Sequence, residues 1–60
     1  MSNQSDISYP ADWTTVSRIE ACSGYDRVFF ASGGYTTVDN GFVSVGETVR
    51  VRRGRLEVKA

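Results

Sequence analysis

Turn residues recur so closely after Gly24 that no long element fits between them. Tyr25 to Ala31 is followed by Ser32-Gly33-Gly34, Tyr35 to Asp39 by Asn40-Gly41, and the stretch ending at Arg52 by Arg53-Gly54. Short apolar segments separated in this way predict a meander of antiparallel strands. Asn40-Gly41 suits a two-residue type I′ turn, which would pair Asp39 with Phe42, Val38 with Val43 and Thr37 with Ser44. A turn at Arg53-Gly54 sets Val51 opposite Leu56 and Val49 opposite Val58 on the core side, with Arg50 opposite Glu57 and Arg52 opposite Arg55 outside. Arg50, Arg52, Arg55 and Lys59 then leave the sheet on one solvent side, with Arg53 at the tip and Glu57 as a partner for Arg50.

Before Gly24 two periodicities compete. Tyr9, Trp13, Val16 and Ile19 lie roughly one helical turn apart, with Pro10 early and Gly24 just past the end, which suits a helix. Trp13-Thr14-Thr15-Val16 and Ile19 are β-formers, and the β-branched residues lose side-chain freedom in a helix, which favours a strand. Met1 to Asp6 is polar with nothing to bury. Residues 1–8 are therefore expected to be a flexible N-terminal tail, and residues 9–60 a single small β domain.

A chain of 60 residues hides only about 60% of the surface its unfolded form exposes, so it has one thin core and no deep cleft between domains. Four or five strands are too few for a sandwich, and an open flat sheet would leave one face and both edges bare. The expected fold is mainly β, a small antiparallel, partly open barrel of SH3-like or OB-like type with 4–5 strands. The alternative is an α+β domain with one N-terminal helix packed on a 3–4-stranded antiparallel sheet. The expected core draws on Trp13, Val16, Ile19, Val28, Phe30, Val38, Val43, Val45, Val49, Val51, Leu56 and Val58. A core of this size rarely supplies more than ~3–5 kcal/mol, so a homo-oligomer is plausible.

Asp26-Arg27-Val28-Phe29-Phe30 and the run from Gly41 to Val51 together resemble the second half of a cold-shock-type OB barrel. That resemblance implies binding of single-stranded nucleic acid. It covers under half the chain, and Ser23-Gly24-Tyr25 stands where that family carries a glycine-aromatic-glycine-aromatic strand that stacks bases. The Gly46-Glu47-Thr48-Val49 step is a turn into a strand common to small barrels.

Composition narrows the chemistry. With no His and a single cysteine, Cys22, the chain holds neither a Cys/His zinc site nor a Cys-His pair or Ser-His-Asp triad. It is expected not to be an enzyme and to use no cofactor or metal. Cys22 has no partner for an internal disulfide, which fits a reducing cytoplasm, and it is expected to be an inert packing residue. No apolar run spans a bilayer and the start lacks the features of a secretory signal, so a cytoplasmic location away from membranes is expected. Gly33-Gly34 is a turn and not a phosphate-binding loop, because the Lys and Ser/Thr of that motif do not follow.

The formal net charge is zero, but it is unevenly placed. Through Glu47 the chain carries Asp6, Asp12, Glu20, Asp26, Asp39 and Glu47 against Arg18 and Arg27, a balance of −4. From Thr48 on it carries Arg50, Arg52, Arg53, Arg55 and Lys59 against Glu57, a balance of +4. This basic hairpin is a solvated edge strand, a contact for phosphates, or a contact for an acidic protein surface. Tyr25, Phe29, Tyr35 and Phe42 form the second candidate set. By alternation Phe29 points away from Val28 and Phe30, and Phe42 away from Val43, so these rings either stack bases, centre a protein interface, or are buried by the curl of the barrel. Trp13 is expected as a core or lid residue. The functional expectation is a non-enzymatic binding module that contacts nucleic acid through the basic hairpin. The alternative is a protein-protein interaction module, either a small accessory or inhibitor protein or a self-associating subunit.

Overall fold

The structure, a computed structural model, describes residues 12–60. The expected tail at 1–8 and the start of the domain at 9–11 lie outside the described residues. Five strands follow in order: β1 (Thr14–Cys22), β2 (Tyr25–Phe30), β3 (Tyr35–Val38), β4 (Thr48–Arg52) and β5 (Arg55–Val58). They form one antiparallel sheet of order β3-β2-β1-β4-β5, and no helix is present among the described residues. The β-branched composition of β1 therefore prevails over its helical spacing, and the α+β alternative is set aside.

β1 is central because it is long enough to serve two partners. Its start pairs with β4 through Thr14↔Val49 and Thr15↔Thr48, and its remainder pairs with β2 from Val16↔Phe30 to Cys22↔Tyr25. The register shifts between Val16 and Arg18. Such a bulge bends the strand and resets its alternation, so that Val16 and Ile19, three residues apart, both meet the core. The core is Val16, Val28, Phe30, Val43, Val49 and Val51, with Ile19, Val38 and Leu56 packed against it. Val38 on β3 and Leu56 on β5 reach this one cluster from the two edges of the sheet, which is therefore strongly curled.

The curl does not close. β3 and β5 remain the edges, so the strands do not complete a barrel. Both edge strands are only four residues long, which leaves little length for a closing ladder.

The expected hairpin at Asn40-Gly41 is also corrected. Residues 42–47 form no strand, and β3 pairs only with β2, from Asp26↔Val38 to Phe29↔Tyr35. Phe42 N donates to Asp39 O at 3.1 Å, but only Gly41 has positive φ (78°), whereas a type I′ turn needs it at both central residues. The physical cause is Asp26, 6% exposed, whose carboxylate accepts from Asn40 Nδ2 at 2.6 Å and from Gly41 N at 2.9 Å. Those bonds anchor the turn to β2, and the chain then crosses to β1. There Gly46 N donates to Val16 O and Val16 N donates to Glu47 O, both at 2.9 Å.

This crossing alters the core. Val43 is buried, but Val45 lies on the crossing segment and is 61% exposed. Val58 faces the core side at the end of an edge strand and stays 39% exposed, and Trp13 precedes the first paired residue on the outer side and is 37% exposed. These three leave the expected core.

The last hairpin has the expected register throughout, from Val49↔Val58 to Arg52↔Arg55. Its turn places Arg53 at φ 52° and Gly54 at φ 75°, the type I′ pattern. Arginine is a poor occupant of the left-handed region, at a cost of roughly 1–2 kcal/mol.

Two stability outcomes follow. Asp26→Ala removes the carboxylate acceptor of two bonds that hold the turn to β2 and lowers stability by ~1.5–3 kcal/mol, the range for hydrogen bonds to a charged group. Arg53→Asn relieves the turn and raises stability by about 1 kcal/mol. Thermal melts check both, since 1 kcal/mol shifts Tm by roughly 4–8 °C in a domain near this size.

Candidate functional site

Alternation along β2 buries Asp26, Val28 and Phe30 and sends Tyr25, Arg27 and Phe29 outward. Antiparallel register then decides their company. Arg18 lies opposite Phe29 and Glu20 opposite Arg27 on β1, while Tyr35 lies opposite Phe29 and Thr37 opposite Arg27 on β3. The Phe29 and Tyr35 rings are 5.6 Å apart and tilted by 34°. The Arg18 guanidinium sits 4.1 Å from the Phe29 ring centre, and that of Arg27 sits 5.6 Å from Tyr35. Glu20 ties the two arginines together, accepting from Arg18 Nη1 at 2.5 Å and from Arg27 Nη1 at 3.2 Å. The neighbouring Tyr25 phenol, as a hydrogen-bond partner, is the main reason the Arg27 pKa is raised above its ordinary value. Arg27 is a permanent cation on this face.

A second cluster occupies the other half of the sheet. Trp13 lies beneath the Arg50 guanidinium at 4.3 Å, with Lys59 Nζ 5.6 Å from the ring centre. Arg50 Nε donates to Glu57 Oε1 at 2.8 Å, the pairing that the hairpin register implies. Beyond them Arg52 and Arg55 face each other directly, with Arg53 in the turn between. Like charges placed opposite one another are destabilising in a sheet. Arg52, Arg53, Arg55 and Glu57 line an open groove of about 580 Å³. An anion in that groove would offset the repulsion.

Phe42 stands apart from both clusters. It is 54% exposed beside a cavity of about 400 Å³ lined by Thr37, Val38, Asp39, Gly54, Arg55 and Leu56, where β3 approaches the β4–β5 turn. Of the four expected contact aromatics, then, Phe29 and Tyr35 come together, Tyr25 flanks them beside Arg27, and Phe42 belongs to the seam. Cys22 is half-buried with its Sγ 3.7 Å from Glu20 O. Among the described residues no three His, Cys, Asp or Glu side chains gather as a metal site requires.

Arg18, Glu20, Arg27 and Trp13 are site residues that sequence reasoning missed. The signal for the first three was present: a two-residue turn at Ser23-Gly24 sets Cys22 opposite Tyr25, and counting back gives Glu20 opposite Arg27 and Arg18 opposite Phe29. Uncertainty between helix and strand before Gly24 hid that register. Trp13 had no comparable signal, because its place depends on where β1 meets β4. Comparison with models of known protein families finds no match for this chain, and neither curated proteins nor solved structures provide one, so the chemistry of this outer face stands on its own residues.

Proposed function

We propose that the chain is a non-catalytic module that binds single-stranded nucleic acid on the outer face of its sheet. One observation carries this: outward-facing aromatic rings, half-buried Phe29 and exposed Tyr35 and Trp13, are interleaved there with permanently charged guanidinium groups, with Arg18 over Phe29, Arg27 beside Tyr35, and Arg50 with Lys59 around Trp13. Base-stacking rings combined with a cationic track for the backbone are the two parts such binding needs. The basic hairpin supplies further phosphate contacts through Arg52, Arg53 and Arg55. Its tip holds a strained arginine and two opposed cations, arrangements that work against stability and so support a role in contact.

A five-stranded sheet curled over one core and open along one seam favours the OB-like form of barrel, in which the face of strands 2 and 3 takes oligonucleotides. Phe29 and Tyr35 occupy that face. The single cysteine suits work in a reducing cytoplasm.

A second reading, self-association, is favoured by the two unpaired edges, β3 and β5. The basic β5 hairpin of one copy complements the acidic remainder of the next, a head-to-tail contact that closes into rings or extends into filaments. Light scattering at two ionic strengths tests it: the expected outcome is growth of mass at low salt, and a strict monomer at high concentration overturns it.

For the primary function, fluorescence anisotropy with single-stranded oligonucleotides across a salt series is the test. Phe29→Ala or Tyr35→Ala weakens binding by ~1–3 kcal/mol, roughly five- to 150-fold. Arg52→Ala with Arg55→Ala lowers the steepness of the salt dependence by about 0.7 for each phosphate that is no longer neutralised. Binding absent at low salt, or indifferent to all four changes, overturns the proposal.

A further inference from the structure

Among the described residues Glu20 is the one acidic side chain tied into the Phe29–Tyr35 cluster, and both of its oxygens are engaged: Oε2 by Arg18 and Oε1 by Arg27. Those same guanidinium groups lie against the two rings, whose centres are 5.6 Å apart. An oxyanion bridging two arginines beside a pair of rings has the chemistry of a nucleotide phosphate next to its stacked base. Arg27 Nε is moreover buried without a hydrogen-bond partner, so the present carboxylate does not use all the donors the arginine offers.

We infer that Arg18, Arg27, Phe29 and Tyr35 form a subsite for one nucleotide, with Glu20 held in the place of its phosphate as a built-in competitor. The inference rests on the proposed function and adds the position of a phosphate and a residue that sets affinity. Binding exchanges one oxyanion for another: the phosphate takes the guanidinium donors and the Glu20 carboxylate swings to water. The competition is possible because Glu20 and Arg27 side chains are each 39% exposed and Arg18 is 59% exposed, and pairs of that exposure are held weakly. A buried pair would not yield to a solvated ligand.

The experiment compares wild type, Glu20→Gln, and Arg18→Gln combined with Arg27→Gln. Glu20→Gln keeps the shape of the side chain, removes its charge and turns one of the two acceptor oxygens into a donor. Oligonucleotide binding is read by anisotropy, and binding of a pyrimidine 5′-monophosphate and of inorganic phosphate by NMR of the Arg18 and Arg27 side chains. Glu20→Gln is expected to bind the oligonucleotide about tenfold more tightly, as expected when two weak ion pairs no longer compete. The double arginine variant is expected to bind both the oligonucleotide, read by anisotropy, and the mononucleotide more weakly than wild type. Wild type that binds while Glu20→Gln binds no better overturns the inference and leaves the proposed function standing. If no protein binds the oligonucleotide but the mononucleotide still binds Glu20→Gln more tightly than wild type, the subsite stands and the polymer-binding function falls. Inorganic phosphate bound as tightly as the mononucleotide removes the rings from the subsite and overturns it, and absence of all binding overturns both.

Discussion

The structure depends on one bent strand. β1 gives its start to β4 and its remainder to β2, and the register shift between Val16 and Arg18 lets it do so without turning its apolar residues outward. A regular strand would keep strict alternation, and Val16 and Ile19 would then lie on opposite faces. With the bulge, both meet the core, and the two halves of the sheet fold towards each other around Val16, Val28 and Val49, the three most completely buried side chains. The crossing from β3 to β4 depends on the same place, because Gly46 and Glu47 bond to the Val16 backbone.

The thin core explains the character of the outer face. Only six apolar side chains are buried among the described residues, so large rings such as Trp13, Tyr25 and Tyr35 remain at the surface. Each of these rings has a charged neighbour. A cation over an exposed ring contributes about 0.5–1 kcal/mol, modest support that also shields the ring from water. The carboxylates of Glu20 and Glu57 in turn fix where the guanidinium groups lie. The face is thus organised by the protein's own contacts, and it presents rings and cations at positions set by strand register.

Asp26 shows how one polar group directs topology. A carboxylate at a core-side position of β2 requires donors, and the nearest available are the side chain of Asn40 and the backbone of Gly41. Meeting that need draws the turn against β2 and sends the chain across to β1, in place of the local hairpin that Asn40-Gly41 alone would favour. Local turn preference is worth little beside a buried charge that would otherwise lack partners.

The sequence by itself determined what short-range rules control: the β character, the turns at Ser32-Gly33-Gly34 and Arg53-Gly54, and the whole β4–β5 register with Arg50 against Glu57. Two-residue turns transmit register directly, and alternation then assigns faces, so Phe29 was legible as an outward residue from Val28 and Phe30. Tertiary structure alone decided what depends on distant segments meeting. The pairing of β1 with β4 put Trp13 outside beside Arg50 and Lys59, and the bond of Asp26 to a turn fourteen residues on cancelled the expected hairpin. The clustering of Arg18, Glu20 and Arg27 stands between the two, since its register followed from Ser23-Gly24 once β1 was a strand. The reason is one of range: backbone preferences act over a few residues, whereas the burial of a charge and the closing of a core are settled only when the whole chain is in place.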